Sequence, residues 1–123
     1  MFKFEKLAVW QRAVAFADSV YEASRTFPAD ERFGLTNQIR RASVSISSNI
    51  AEGSARSDPD FAKFIGYATG SLYEVVTQSH IAQNQGLLSD KTYASLHTEA
   101  EEISRMLSGL RRSLIGHDNV SSS

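Results

Sequence analysis

The stretch Thr92–Leu114, TYASLHTEAEEISRMLSGLRRSL, carries Tyr93, Leu96, Ala100, Ile103, Leu107, Leu110 and Leu114 at alternating spacings of three and four residues. That alternation holds for about three heptads and puts all seven side chains on one face of a helix. The charges are ordered as well. Glu99, Glu101 and Glu102 precede Arg105, Arg111 and Arg112, the arrangement that the helix dipole favours. A single amphipathic helix cannot bury its own stripe, so the fold depends on what its neighbours offer.

Upstream, Ser89 is placed to cap this helix, and Gly86 in NQGLL supplies the exit of the one before it. That third helix opens at Asp58-Pro59, an N-cap followed by proline at the first helical position, and carries Phe61, Phe64, Ile65, Ala68, Leu72, Val75 and Ala82. The second, from about Glu31 to Gly53, places Leu35, Ile39, Ala42, Ile46, Ile50 and Gly53 on one face. In the first, Trp10, Ala13, Ala17, Val20, Ser24 and Phe27 recur at helical spacing, widened by Val14 and Tyr21, until Pro28 stops it. Gly116 is expected to end the fourth helix. Four amphipathic helices on short connections, with no strand signal, predict an all-α, antiparallel up-and-down four-helix bundle. It spans 1–116, with a disordered tail over 117–123.

The chain has 123 residues, enough for one domain with a real core. It has no cysteine, which removes disulfides and thiolate metal sites and fits a reducing cytosol. No apolar run is long enough to span a bilayer, mean hydropathy is -0.27, and no secretory leader is evident, so a cytoplasmic protein without membrane contact is expected. The net charge of -1 is spread evenly along the chain, so no global field draws it to nucleic acid.

The second helix holds an unusual run, RRASVSISSNIAEGSAR, from Arg40 to Arg56. Beside its core stripe lie two polar ones. The first comprises Gln38, Arg41, Ser45, Ser48, Asn49, Glu52 and Arg56, and the second Arg40, Val44, Ser47, Ala51 and Ser54. A solvated face would favour lysine and glutamate; short hydroxyl and amide side chains instead let a second backbone come close. The stripe from Gln38 to Arg56 therefore reads as an oligomer or partner interface, against the alternative of an exposed polar face. Arg41 can reach Ser45 one turn on, and Glu52 can pair with Arg56. The third helix offers Ala62, Gly66 and Gly70 as a small-residue row for close packing.

Sharper chemistry finds little support. Arg40-Arg41-Ala42-Ser43 matches a basophilic kinase pattern, but Ser43 adjoins the core stripe. Gly53-Ser54 follows a helix and has no lysine, so it is not a phosphate loop. There is no G-x-S-x-G and no strand to carry one. His80, His97 and His117 follow Thr77, Ala94 and Leu114 at the third position before them, so the Glu-x-x-His signature of di-iron bundles is missing. His97 and Glu101 read as a surface pair, and Glu74 as a partner for an arginine. Trp10 and Tyr21 are expected in the core, and Phe2 and Phe4 at a bundle end. No catalytic residue, metal or cofactor is implied.

The segments LAVWQRAVAFADSVY (7–21), FPADERFGLTNQIRRASVSISSNIAEGSAR (27–56), FAKFIGYATGSLYEV (61–75) and EISRMLSGLRRSL (102–114) together resemble the four-helix bundle family of 23S rRNA-intervening-sequence proteins. The block Gln38–Arg41 through Ser48–Gly53 is the most specific part. The resemblance implies a cytoplasmic bacterial bundle that forms a homo-oligomeric ring, a pentamer, with no enzyme activity established. Some genes of the family lie in ribosomal RNA insertions and others stand free. A similar bundle is the accessory protein of diversity-generating retroelements, associated with a reverse transcriptase and nucleic acid; its strongly basic character is not shared by this chain. The expected function is a non-enzymatic oligomeric scaffold for a protein partner. The alternative is RNA or DNA binding, in which a ring would concentrate Arg40, Arg56, Lys63, Arg111 and Arg112 into a basic surface.

Overall fold

A computed structural model describes residues 1–121, with side chains placed over 1–115. Its four helices are α1 (Ala8–Ser24), α2 (Leu35–Ser54), α3 (Asp58–Asn84) and α4 (Asp90–Ser121). Among the described residues there is no strand. Each helix packs on its chain neighbours and α1 also packs on α4, while among the described residues the backbones of α1 and α3, and of α2 and α4, do not come close. The four helices thus stand at the corners of a square in chain order. The short connections reverse direction at each corner.

The connections follow local chemistry. After α1, Pro28 leads into a 3₁₀ turn over Ala29–Glu31, and Gly34 has φ -106° and ψ -113°. That backbone is outside the helical region, so α2 begins at Leu35 and not near Glu31 as its periodicity suggests. The α2–α3 turn is short, with Ser57 in the N-cap position and Pro59 in the first turn; the cap therefore lies one residue before the expected Asp58. At the end of α3, Gly86 takes φ +76°. Leu87 N–H then donates to Ala82 O at 2.8 Å and Gly86 N–H to Gln83 O at 3.0 Å, the paired bonds of a Schellman motif. Ser89 Oγ accepts from Thr92 N–H at 3.1 Å and starts α4 as expected.

α4 continues past Gly116. A glycine inside a helix costs about 1 kcal/mol relative to alanine, which is a penalty and not a stop. The disordered tail expected over 117–123 lies outside the described side chains, and 122–123 outside the described residues.

The core runs the length of the square. Ala13, Val20, Ile39, Ile46, Ile50, Ile65, Leu72, Val75, Ile103 and Leu107 are all fully or almost fully buried, and each large aliphatic among them contributes about 1.5–3 kcal/mol relative to exposure. Phe16, outside the stripe read from α1, is also fully buried. Tyr21 is not in the core: it is 40 % exposed and Arg40 lies over its ring at 4.7 Å. At the chain start Phe2 stacks on Phe4, with centroids 5.8 Å apart, and Phe4 meets the edge of Trp10. Phe4 is half-buried and Phe2 exposed. Arg12 and Glu102 tie α1 to α4 through a hydrogen-bonded ion pair. The bond from Arg12 holds the Glu102 carboxyl below the usual carboxylate range.

α2 and α3 come close together at Gly53. A Cβ at Gly53 would lie 2.5 Å from Phe64 Cβ and 3.0 Å from a ring carbon of Phe61. Gly66 and Gly70 behave otherwise: nothing lies within 4 Å of where their Cβ would be, so the expected Ala62–Gly66–Gly70 packing row does not form. Only Ala62 of that row is buried. Gly53→Ala should therefore destabilise the bundle by about 1–3 kcal/mol through overpacking. Gly66→Ala should stabilise it by up to about 1 kcal/mol. Urea unfolding followed by helical circular dichroism measures both.

Candidate interaction surface on the second and third helices

α2 turns three groups of residues outward, and the stripe singled out from the sequence is divided among them. Ser45 and Asn49 are half-buried against α3, while Gln38, Arg41, Ser48, Glu52 and Arg56 are exposed. Asn49 Nδ2 donates to Ser45 O at 2.8 Å and to Ser45 Oγ at 3.0 Å. Ser71 Oγ of α3 donates to the same Ser45 Oγ at 2.9 Å. The second backbone that these short side chains admit is thus α3 of the same chain. Ser45 is bonded to Asn49 and Ser71, and not to Arg41 as its spacing allowed.

Ser43 is fully buried and donates to Arg40 O at 2.8 Å, so the kinase-like pattern around it is sealed in the fold. The second polar stripe turns toward α1. There Arg40 Nε donates to Ser24 Oγ at 2.8 Å and Arg40 Nη2 to Tyr21 O at 3.4 Å.

Above the Ser45–Ser71 bond the two helices part into a groove of about 380 Å³, whose lining includes Gln38, Arg41, Ser45, Ser71, Glu74 and Gln78. Nearly every group in it is polar. Ser45 Oγ accepts two hydrogen bonds, and its own proton meets no acceptor among the described residues. Gln78 Oε1 is buried without a partner. Arg41 and Glu74 face each other from opposite walls, yet no ion pair joins either of them to any described residue; the arginine partner expected for Glu74 is missing. A buried amide oxygen left unpaired costs about 1–3 kcal/mol, and rim charges left in water cost little.

At the other end of the same face, Arg56 pairs with Glu52 at 3.7 Å, as the spacing predicted. It also lies over the Phe64 ring at 4.7 Å, and Phe64 meets Tyr67 edge to face at 5.4 Å. Lys63 is exposed beside them. Of the basic candidates, Arg56, Lys63, Arg111 and Arg112 share the end of the bundle where the chain starts, and Lys3 and Lys6 join them there. Arg40 sits at the opposite end, engaged by α1. His97 Nδ1 and Glu101 Oε1 are 3.2 Å apart on exposed α4. Among the described residues no three His, Asp or Glu side chains come together as a metal group, and no helix is long and apolar enough to cross a membrane.

A square of four antiparallel helices with a polar-floored seam between α2 and α3 defines the class: a four-helix bundle whose distinctive residues lie on one seam. Residues 5–109 match the family model described as "23S rRNA-intervening sequence protein", and the chain belongs to that family. Its fold is similar to that of a crystal structure from Bacteroides thetaiotaomicron VPI-5482, described as a protein with unknown function from the S23 ribosomal protein family. The TM-score is 0.78 at 21% identity, over 85% of this chain and 95% of that one. No curated protein matches the sequence.

If Asn49 acts through its bonds to Ser45, Asn49→Ala should cost about 1–2 kcal/mol. Ser48→Ala, on the exposed side of the same helix, should stay within about 0.5 kcal/mol. The two urea midpoints, compared at equal slope, provide the check.

Proposed function

We propose that this protein is a non-enzymatic, self-assembling module of the cytoplasm, whose α2–α3 face joins copies of the chain into a ring and presents them as a scaffold to a protein partner. What supports the reading is the unfinished state of that face in one chain: Arg41 and Glu74 without ion pairs above a buried, unpartnered Gln78 Oε1. A surface that exists only to be wet has no reason to bury an acceptor. The five-membered ring implied by the family resemblance is the size expected. Light scattering on eluting protein at micromolar concentration should give five times the 13.6 kDa of the chain; a monomer would overturn the proposal.

A second reading is favoured by the cluster of Arg56, Phe64, Tyr67 and Lys63 at the lower end of the same face. Cations alternating with aromatic rings suit single-stranded nucleic acid, where bases stack and phosphates pair. In a ring these clusters repeat, together with Arg111 and Arg112. Binding to a single-stranded RNA oligonucleotide should then weaken steeply with salt, because phosphate contacts release counterions. Absence of any shift at low salt removes this reading and leaves the first intact.

A further inference from the structure

The seam between α1 and α4, opposite the α2–α3 groove, is tied at two levels and open above them. Arg12 bonds Glu102, and two turns on Ser19 Oγ donates to Glu99 Oε1 at 3.1 Å. Beyond Ser19 and Glu99 no side-chain hydrogen bond or ion pair joins the two helices among the described residues. The facing side chains are short there, Ala23 and Thr26 from the α1 side and Thr92 and Ser95 from α4, and they leave a cleft of about 920 Å³.

The cleft has an apolar floor and an acidic rim. Leu88 and Leu96 seal the floor at 5 % and 3 % exposure, and half-buried Leu87 and Ala23 carry the apolar surface up its sides. Asp18 and Glu22 stand one turn apart on the α1 wall and Glu99 stands on the α4 wall, against one lining cation, Lys91, among the described residues. Glu22 touches Arg25 at 3.3 Å outside the cleft, while Asp18 pairs with no cation among the described residues. From Ser89 to Glu99 the α4 wall runs for about 15 Å, close to three helical turns.

These features select among occupants. A trough open along its length does not enclose a small molecule as a binding pocket does. The phosphates of a nucleic acid or an anionic membrane meet three carboxylates and are repelled. Among the described residues there is no strand edge for an extended peptide to join. A second copy offers no suitable segment either: α2 and α4, which carry its paired arginines, turn their apolar stripes into or against their own core. What fits is a helix brought by a different protein, apolar on one face and flanked by lysine or arginine.

Building on the protein-partner half of the proposed function and not on the ring, we infer that the α1–α4 cleft docks a basic amphipathic helix of about three turns. Its apolar stripe covers the floor around Leu87 and Leu96 and removes that surface from water. Its cations meet Asp18 and Glu22 on one side and Glu99 on the other. Lys91, at the end where α4 begins, receives the carboxyl end of the docked helix, where the dipole is negative.

The probe is a fluorescein-labelled synthetic peptide of about twelve residues, just over three turns, with leucines at helical spacing and lysines elsewhere. Its control has the same composition, scrambled so that no apolar stripe forms. In fluorescence polarisation the first should bind the parent at least tenfold more tightly than the second. Asp18→Lys combined with Glu22→Lys should weaken binding at least tenfold, and so should Ser95→Trp, which fills the cleft at unchanged charge. Asp60→Lys combined with Glu101→Lys, the same change of charge away from the cleft, should weaken it less than twofold. All five positions are exposed, and circular dichroism on each variant should match the parent. Equal binding of the two peptides, or equal loss in the cleft and control variants, reduces the attraction to diffuse charge and overturns the inference; a parent that binds neither peptide overturns it as well. Light scattering on the same samples keeps the ring separate. An assembled parent that does not bind overturns the docking alone, and a monomer that binds with the expected pattern overturns the ring and supports the docking.

Discussion

Everything on the α2–α3 face follows from how near those two helices come to one another. Gly53 permits the approach at the lower end, where an added methyl would meet Phe64 and Phe61. Above it the side chains between the backbones are short, so that one hydroxyl hydrogen bond, from Ser71 to Ser45, crosses from α3 to α2 while Asn49 braces Ser45 from within α2. Where the bridging stops, above Ser45 and Ser71, the seam opens and the groove begins. The groove is thus the upper limit of a tightly closed seam, and its geometry is inherited from the contact below it. Polar bonds in such a seam add specificity of register more than net stability, since each replaces a bond to water.

Much of the architecture is legible in the residues because periodicity, proline and glycine act locally. The heptads of α4, the Schellman exit at Gly86 and the cap at Ser89 each depend on a few neighbouring residues, and the Glu52–Arg56 pair depends only on helical spacing. What is less legible is the identity of the partner across a face. Ser45 and Asn49 look the same in sequence whether they meet another subunit or α3 of their own chain. Gly53 and Gly66 look equally suited to close packing, yet one is pressed against phenylalanine and the other faces open space. Phe16 escaped the α1 stripe because a helix of a bundle buries an arc wider than one line of residues. The groove itself had no signal: Glu74 and Gln78 join Arg41 only because α3 runs antiparallel to α2.

Charge shows the same gap between order along the chain and order in space. Segment by segment the sequence is nearly neutral, but up-and-down topology folds the last turns of α2 and α4 and the first turns of α1 and α3 to a common end. Arg56, Lys63, Arg111 and Arg112 gather there with Lys3 and Lys6, among the acids Glu5, Glu52, Asp58 and Asp60, while the other end mixes Asp18, Glu22, Asp30, Glu31, Asp90 and Glu99 with Arg25, Arg32, Arg40, Arg41 and Lys91. A molecule of net charge -1 thus has both signs at each end, with a modest cationic excess where the chain starts. In the ring proposed above, copies side by side would keep like ends together, so that Arg56, Lys63, Arg111 and Arg112 would repeat around one rim. That rim is short-ranged at physiological salt, where screening acts over about 8 Å.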